Sequence, residues 1–185
     1  MNTGTFGLAT QILKGCGVIA YPTEYCYGLG CDPLNRLAVE RILQMKKRNW
    51  SKGLIVIASD LRQLSGLIDL KKGNFLDEAI SSWPGPYTWV FPARPRAPKW
   101  ICGTHNTLAV RIPDHPIALQ LCRNFRSAIV STSANRSGKP PLRTHHQTTV
   151  EFEHEVDFIL NGSVGRRGAP TTIRDVISGQ LIRGA

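Results

Sequence analysis

Apolar positions along the chain come in blocks of two different periods. Phe6, Ala9, Ile12 and Leu13 recur at helical spacing, and Gly15 and Gly17 then stop the helix. Val18-Ile19-Ala20-Tyr21 is a short strand ended by Pro22, and the segment 23–33, with Gly28 and Gly30, reads as a loop. Asn35 is placed to cap a helix that carries Ala38, Val39, Ile42 and Leu43 on one face. The run from Leu54 to Ala58 is apolar on both faces, which predicts a strand covered on two sides. Ser59 and Asp60 then open another helix. A helix over 74–82 stops before Trp83-Pro84-Gly85-Pro86, and strands follow at Tyr87 to Pro92 and Thr107 to Ile112. Pro116 suits the first turn of a helix running to about Phe125. A strand over 128–132, a weaker helix near 144–152 and short strands near 157, 172 and 181 complete the chain, with a hairpin around Ser178-Gly179.

Alternating strands and helices followed by a hairpin predict an α/β fold with a mixed sheet. No internal repeat or low-complexity linker interrupts the 185 residues, so one domain over 1–185 is expected. The 23 Lys and Arg against 13 Asp and Glu give a net charge of +10. That excess favours a polyanionic partner, either nucleic acid or nucleotide phosphates. A nucleotide would bind without a Rossmann or P-loop fingerprint, since neither glycine pattern occurs. Five cysteines with no C-x-x-C pair argue against a disulfide framework or a zinc site. The opening Met1-Asn2-Thr3-Gly4 lacks the basic and apolar regions of a signal peptide, and no apolar run is long enough to span a bilayer. A cytoplasmic location with no membrane partner is expected.

Four segments carry candidate chemistry. In Pro22-Thr23-Glu24-Tyr25-Cys26-Tyr27-Gly28-Leu29-Gly30 the glycines let backbone approach a ligand, and Thr23 offers a hydroxyl. Lys46 and Arg48 stand two apart at a predicted helix end, with Lys52 beyond. They either cap the helix dipole or hold a polyphosphate. Alternation puts Thr107, Ala109 and Arg111 on one face of a strand. An arginine there is costly unless it closes an internal salt bridge or meets an anion. Finally, Ser131-Thr132-Ser133-Ala134-Asn135 ends an apolar run in hydroxyls and an amide, either a polar turn or an anion site. The five histidines show no metal-ligand spacing, and no nucleophile has an evident base. What remains is a site that orients reactants and stabilises phosphate charge.

Pro-Thr-Glu-x-x-Tyr-Gly-Leu-Gly (22–30), Lys-x-Arg (46–48), Trp-Pro-Gly-Pro-x-Thr (83–88), Leu-Ala-Val-Arg-x-Pro (108–113) and Ser-x-Asn (133–135) occur in this order. Together they resemble the YrdC/TsaC family of L-threonylcarbamoyladenylate synthases, in its short single-domain form. The resemblance implies a twisted, mixed open sheet flanked by helices, with a concave basic face. It implies a reaction in which L-threonine, bicarbonate (or CO2) and ATP give threonylcarbamoyl-AMP and pyrophosphate. Partner proteins then use the product to modify adenosine 37 of tRNAs that read ANN codons.

Carried over residue by residue, the resemblance assigns catalysis to Lys46, Arg48, Ser133 and Asn135. Arg48 and Ser133 would meet the ATP phosphates, Lys46 would stabilise charge, and Asn135 would orient the Ser133 loop or a phosphate. Lys52, Thr107 and Arg183 would complete the ATP site. Arg111 would meet the threonine carboxylate, with Thr23, Ser131 and Thr171 around that substrate. Magnesium (Mg2+) is expected with ATP, without a dedicated protein site. Tyr25 stands where many relatives have a second threonine, Ser51-Lys52-Gly53-Leu54 replaces the commoner Asn-Pro-Leu, and Thr171-Thr172 replaces Ser-Thr. The charge also fits a non-catalytic module binding tRNA or double-stranded RNA, with Trp50 beside Arg48 and Lys52 as its one aromatic hint. A carbamoyl-transfer domain of the hydrogenase-maturation type is a third reading.

Overall fold

The computed structural model describes residues 3–184; Met1 and Asn2 of the opening segment, and Ala185, lie outside the described residues. Ten strands form two mixed sheets. The smaller sheet contains β1 (Ile19–Pro22), β2 (Tyr27–Gly30), β7 (Thr132–Ser133) and β8 (Phe158–Ile159), in the order β7-β2-β1-β8. The larger contains β3 (Ile55–Ile57), β4 (Tyr87–Pro92), β5 (Thr107–Arg111), β6 (Ile129–Val130), β9 (Thr172–Asp175) and β10 (Leu181–Arg183), in the order β10-β9-β4-β5-β3-β6. Parallel pairs (β1 with β8, β3 with β5, β4 with β9) mix with antiparallel ones in both sheets.

The segment 23–33 departs from expectation. Its residues Tyr27–Gly30 are not loop but a fully buried strand, antiparallel to β1. Gly30 allows this: a Cβ there would stand 2.7 Å from both the Tyr21 ring and the Val130 carbonyl oxygen. Glycine here permits close approach within a strand rather than a turn. The predicted 128–132 strand also divides. β6 pairs with β3 in one sheet and β7 with β2 in the other, with Ser131 between them.

Helices cover the sheets on both sides. α1 (Thr3–Lys14) packs against α5 (Pro116–Phe125), and Ala9, Leu13, Ile117, Leu121 and Phe125 meet Ile19, Ile57 and Ile129 in one core. α2 (Arg36–Met45) starts where expected, with the Asn35 side chain accepting from the Ala38 N–H. Its buried face contributes Ala38, Val39, Ile42 and Leu43 to the second core, with Val56, Trp89, Phe91 and Val110. Each fully buried aliphatic side chain of this kind contributes about 1.5–3 kcal/mol. α3 (Leu76–Ser81), α4 (Lys99–Cys102) and α6 (His145–Phe152) complete the set, and α6 is closed by a capping box between Thr144 and Gln147. After Ser59 the chain makes only a 3-10 turn over Leu61–Leu64, capped by Asp60. No helix among the described residues is long and apolar enough to cross a membrane.

Candidate active site

Three ends of secondary structure converge beside Ser131. The loop after β1 brings Thr23 to Cys26, the turn after α2 brings Arg48, and the β6–β7 crossing brings Ser131 to Ser133. Backbone bonds lock the crossing in place: Val130 N–H to Cys31 O (2.9 Å), Ser131 N–H to Ile55 O (2.8 Å) and Ala134 N–H to Tyr27 O (2.7 Å). The cleft between these segments has a volume of about 280 Å³. Its wall holds four arginines (Arg48, Arg111, Arg167, Arg183), the hydroxyls of Thr23, Ser131, Thr132, Ser133 and Thr171, and a single carboxylate, Glu24. A second chamber of about 260 Å³ adjoins it and shares Arg48, Leu54, Ile55 and Arg183. That chamber sets the aliphatic side chains of Val90, Ile101, Ala109, Ile173 and Ile182 beside Lys52, His105 and Thr107.

Arg111 resolves its two options in favour of an internal pair, while still lining the polar chamber. Its Nη1 donates to Glu24 Oε1 at 2.8 Å, with both side chains under a tenth exposed. The same oxygen accepts from the Asp114 N–H at 2.7 Å, and Glu24 Oε2 is buried without a donor. Arg48 donates to Gly53 O at 3.0 Å, and its Nε is buried without a partner. Burial lowers its pKa, yet a guanidinium remains charged at neutral pH. Arg183 reaches Thr171 O at 3.0 Å, and burial together with Arg48 and Arg111 holds its pKa below the usual value. Thr171 Oγ1 is 3.0 Å from Thr88 Oγ1, and Thr23 Oγ1 donates to Cys26 O at 2.8 Å.

Lys46 and Asn135 line neither chamber. The Lys46 ammonium is buried and donates to Ser133 O, to Asn135 O (2.9 Å) and to Asn135 Oδ1 (2.9 Å). Burial, with Arg48 nearby, lowers its pKa to about 8. Asn135 Oδ1 also accepts from Ser133 Oγ at 2.7 Å, and Asn135 Nδ2 donates to Lys139 O at 2.6 Å. Lys46 was expected to face phosphate charge; here its three protons are spent on the chain that carries Ser133. Of the two roles expected for Asn135, orienting that loop is the one this geometry matches. Lys46 bonds the Ser133 carbonyl and not its hydroxyl, so no Ser–Lys nucleophile pair forms. Burial pushes the Cys26 thiol up to about 11, which keeps it protonated at neutral pH.

Two charged residues of the polar chamber were not among the expected site residues. Glu24 had a signal, because an arginine within an apolar strand needs a partner. Arg167 had none: it sits between Gly165 and Pro170 in a loop without periodicity. Tyr25 lines the polar chamber, and the Arg143 guanidinium lies 5.1 Å from the centre of its ring.

The sequence profile of the Sua5/YciO/YrdC family, which carries the description "Telomere recombination", matches residues 11–185. The chain belongs to the Sua5/YciO/YrdC family. It is 48% identical over 176 residues to a protein named threonylcarbamoyl-AMP synthase from Nitrosococcus oceani, covering 95% of each chain. A protein of the same name from Coxiella burnetii is 45% identical, covering 95% of this chain and 94% of its own. Among Sua5/YciO/YrdC folds of known structure, a crystal structure of P. abyssi Sua5 complexed with L-threonine superposes with a TM-score of 0.85 at 34% identity. That match covers 92% of this chain but only 50% of the P. abyssi protein, so the chain spans about half its length.

Proposed function

We propose that this protein is a threonylcarbamoyl-AMP synthase. It joins the carbamate formed from L-threonine and bicarbonate (or CO2) to the AMP part of ATP and releases pyrophosphate. The observation that carries the reading is the pair of adjoining chambers, one with the larger share of aliphatic side chains (the apolar chamber) and one lined by four arginines and hydroxyls, joined at Arg48 and Arg183. The apolar chamber takes the adenine, with Lys52 and Thr107 beside it. The α-phosphate lies at the junction, and the amino acid occupies the polar chamber near Arg111, Thr23, Ser131 and Thr171. The names of the two bacterial relatives support the same reaction.

The chemistry asks little of a general base. A carbamate is already an anionic nucleophile, so the site needs only to hold it in line with the α-phosphorus and stabilise the displaced charge. Arginines and hydroxyls suit that task, and the protonated Cys26 and unpaired serines suit no covalent route. Magnesium enters with ATP as part of the substrate. Glu24 is the one carboxylate lining the polar chamber and it is already committed to Arg111, so phosphate oxygens and water supply the ion's ligands. The product passes to partner proteins that modify adenosine 37 of ANN-reading tRNAs, in the cytoplasm. A purely RNA-binding module would have no use for a two-chambered cleft of this kind.

The test is pyrophosphate release from ATP by the purified protein. Release is expected only with both L-threonine and bicarbonate present, and an equal rate without threonine would overturn the assignment.

A further inference from the structure

Residues 161–171 run along one wall of the polar chamber as a strap, contributing Arg167, Pro170 and Thr171 to its lining. The strap is laid against the loop after β1. Gly165 N–H donates to Thr23 O (2.9 Å), Arg167 N–H to Glu24 O (3.2 Å), and the Tyr27 hydroxyl to Gly162 O (2.6 Å). A Cβ on Gly165 would stand 2.7 Å from the Glu24 carbonyl oxygen and 2.8 Å from its Cα, so only glycine allows so close a crossing. Arg143 holds the far side, donating to Arg167 O at 3.1 Å. The backbone of Arg167 is therefore fixed at the cleft on both sides.

Its side chain is not. The guanidinium reaches only carbonyls of its own strap, Ala169 O at 3.3 Å and Pro170 O at 3.4 Å, near the outer limit for a hydrogen bond. No carboxylate among the described residues forms a salt bridge with it. Arg111 is committed to Glu24 and Arg183 to Thr171, while Arg48 donates once, to Gly53, from the junction of the two chambers. Arg167 also lines the polar chamber alone, whereas Arg48 and Arg183 line both.

We infer that Arg167 is the ligand of the departing pyrophosphate. The inference rests on the synthase reading above. With the base in the apolar chamber and the α-phosphate between Arg48 and Arg183, the β- and γ-phosphates extend into the polar chamber. Arg111 is already turned to a carboxylate there, and Arg167 is the cation with donors to spare. In the reaction the carbamate oxygen bonds to the α-phosphorus, and the bond from that phosphorus to the α,β-bridging oxygen breaks. The electron pair leaves on pyrophosphate, so no proton need move. The planar guanidinium meets the added charge with charge-assisted hydrogen bonds.

The experiment compares the full chain with Arg167→Ala and Arg167→Lys, measuring calorimetric affinities for ATP, pyrophosphate, AMP and L-threonine beside kcat. Arg167→Ala is expected to weaken ATP and pyrophosphate by about 10- to 100-fold. AMP and threonine should stay within about twofold, since neither gains a charge-assisted bond from this side chain. Arg167→Lys should restore part of the loss, because it keeps the charge but not the fork. An equal loss for AMP and ATP, a loss for threonine alone, or no loss at all would each overturn the inference. Failure of the synthase reading shows separately, as wild-type protein that binds no ATP or releases pyrophosphate without threonine.

Discussion

The polar chamber has two walls that are held by different means. The wall at Ser131–Asn135 grows from strands paired into both sheets and is fastened by a buried ammonium that makes three charge-assisted bonds. The wall at 161–171 has no salt bridge among the described residues and is held by two backbone bonds and by the side chains of Tyr27, Arg143 and Arg183, which donate to its carbonyls. Charge-assisted bonds are roughly twice as strong as neutral ones. The first wall is therefore fastened by a buried charge inside two sheets and the second by side chains from outside, and it is the second that carries a cation bonded only to its own segment. A lysine that looks like chemistry is bonded to the chain that carries Ser133, and an arginine from a featureless loop lines the cleft.

Glu24 stands between the walls, its carboxylate holding Arg111 and its backbone carbonyl receiving the strap, and loss of that carboxylate is the largest effect expected. Glu24→Ala would leave the buried Arg111 unpaired and should lower stability by about 3–5 kcal/mol, read from urea denaturation. A loss under about 1 kcal/mol would mean that water compensates the guanidinium and that the pair does not fasten the loop after β1 to β5. Next comes the line between facing and fastening. Arg48→Ala should lower kcat/KM for ATP by about 10²- to 10³-fold with little change in Tm. Retained activity would remove Arg48 from the site.

The smallest effect is a pH profile. Lys46 sits at about 8 in the fold, against an ordinary value of 10.5. Between those values the unfolded chain binds more protons, so this group makes the fold more stable as pH rises. The neutral amine nevertheless has two N–H groups for three acceptors, and the wall it fastens loosens. ATP affinity should fall about two- to tenfold as pH rises through 8. Lys46→Met should be flat over the same range, and a flat wild-type profile would show that the ammonium is not the fastener.

How much of this could be read in advance depended on whether a residue's neighbours were local. The helix over 36–45 was legible because its cap and its apolar face lie within ten residues, as was the one over 116–125 with Pro116 at its start. Tyr27–Gly30 was misread because glycine pairs usually mark turns. The contact that requires Gly30 here comes from Val130, a hundred residues away. Lys46 and Arg48 were legible as residue types and as a pair, but not in direction. Lys46 follows the last helical turn and finds its partners in Ser133 and Asn135, whereas Arg48 finds Gly53 and the cleft. Charge in a sequence does not say which way it faces.

Ser131 is the residue at which one strand leaves the larger sheet and joins the smaller. A ligand held there would be stitched across the seam of the molecule, gripped at once by two sheets with separate edges. Neither half can come apart and leave the site standing, so occupancy of this one cleft doubles as a report on whether the whole chain is assembled.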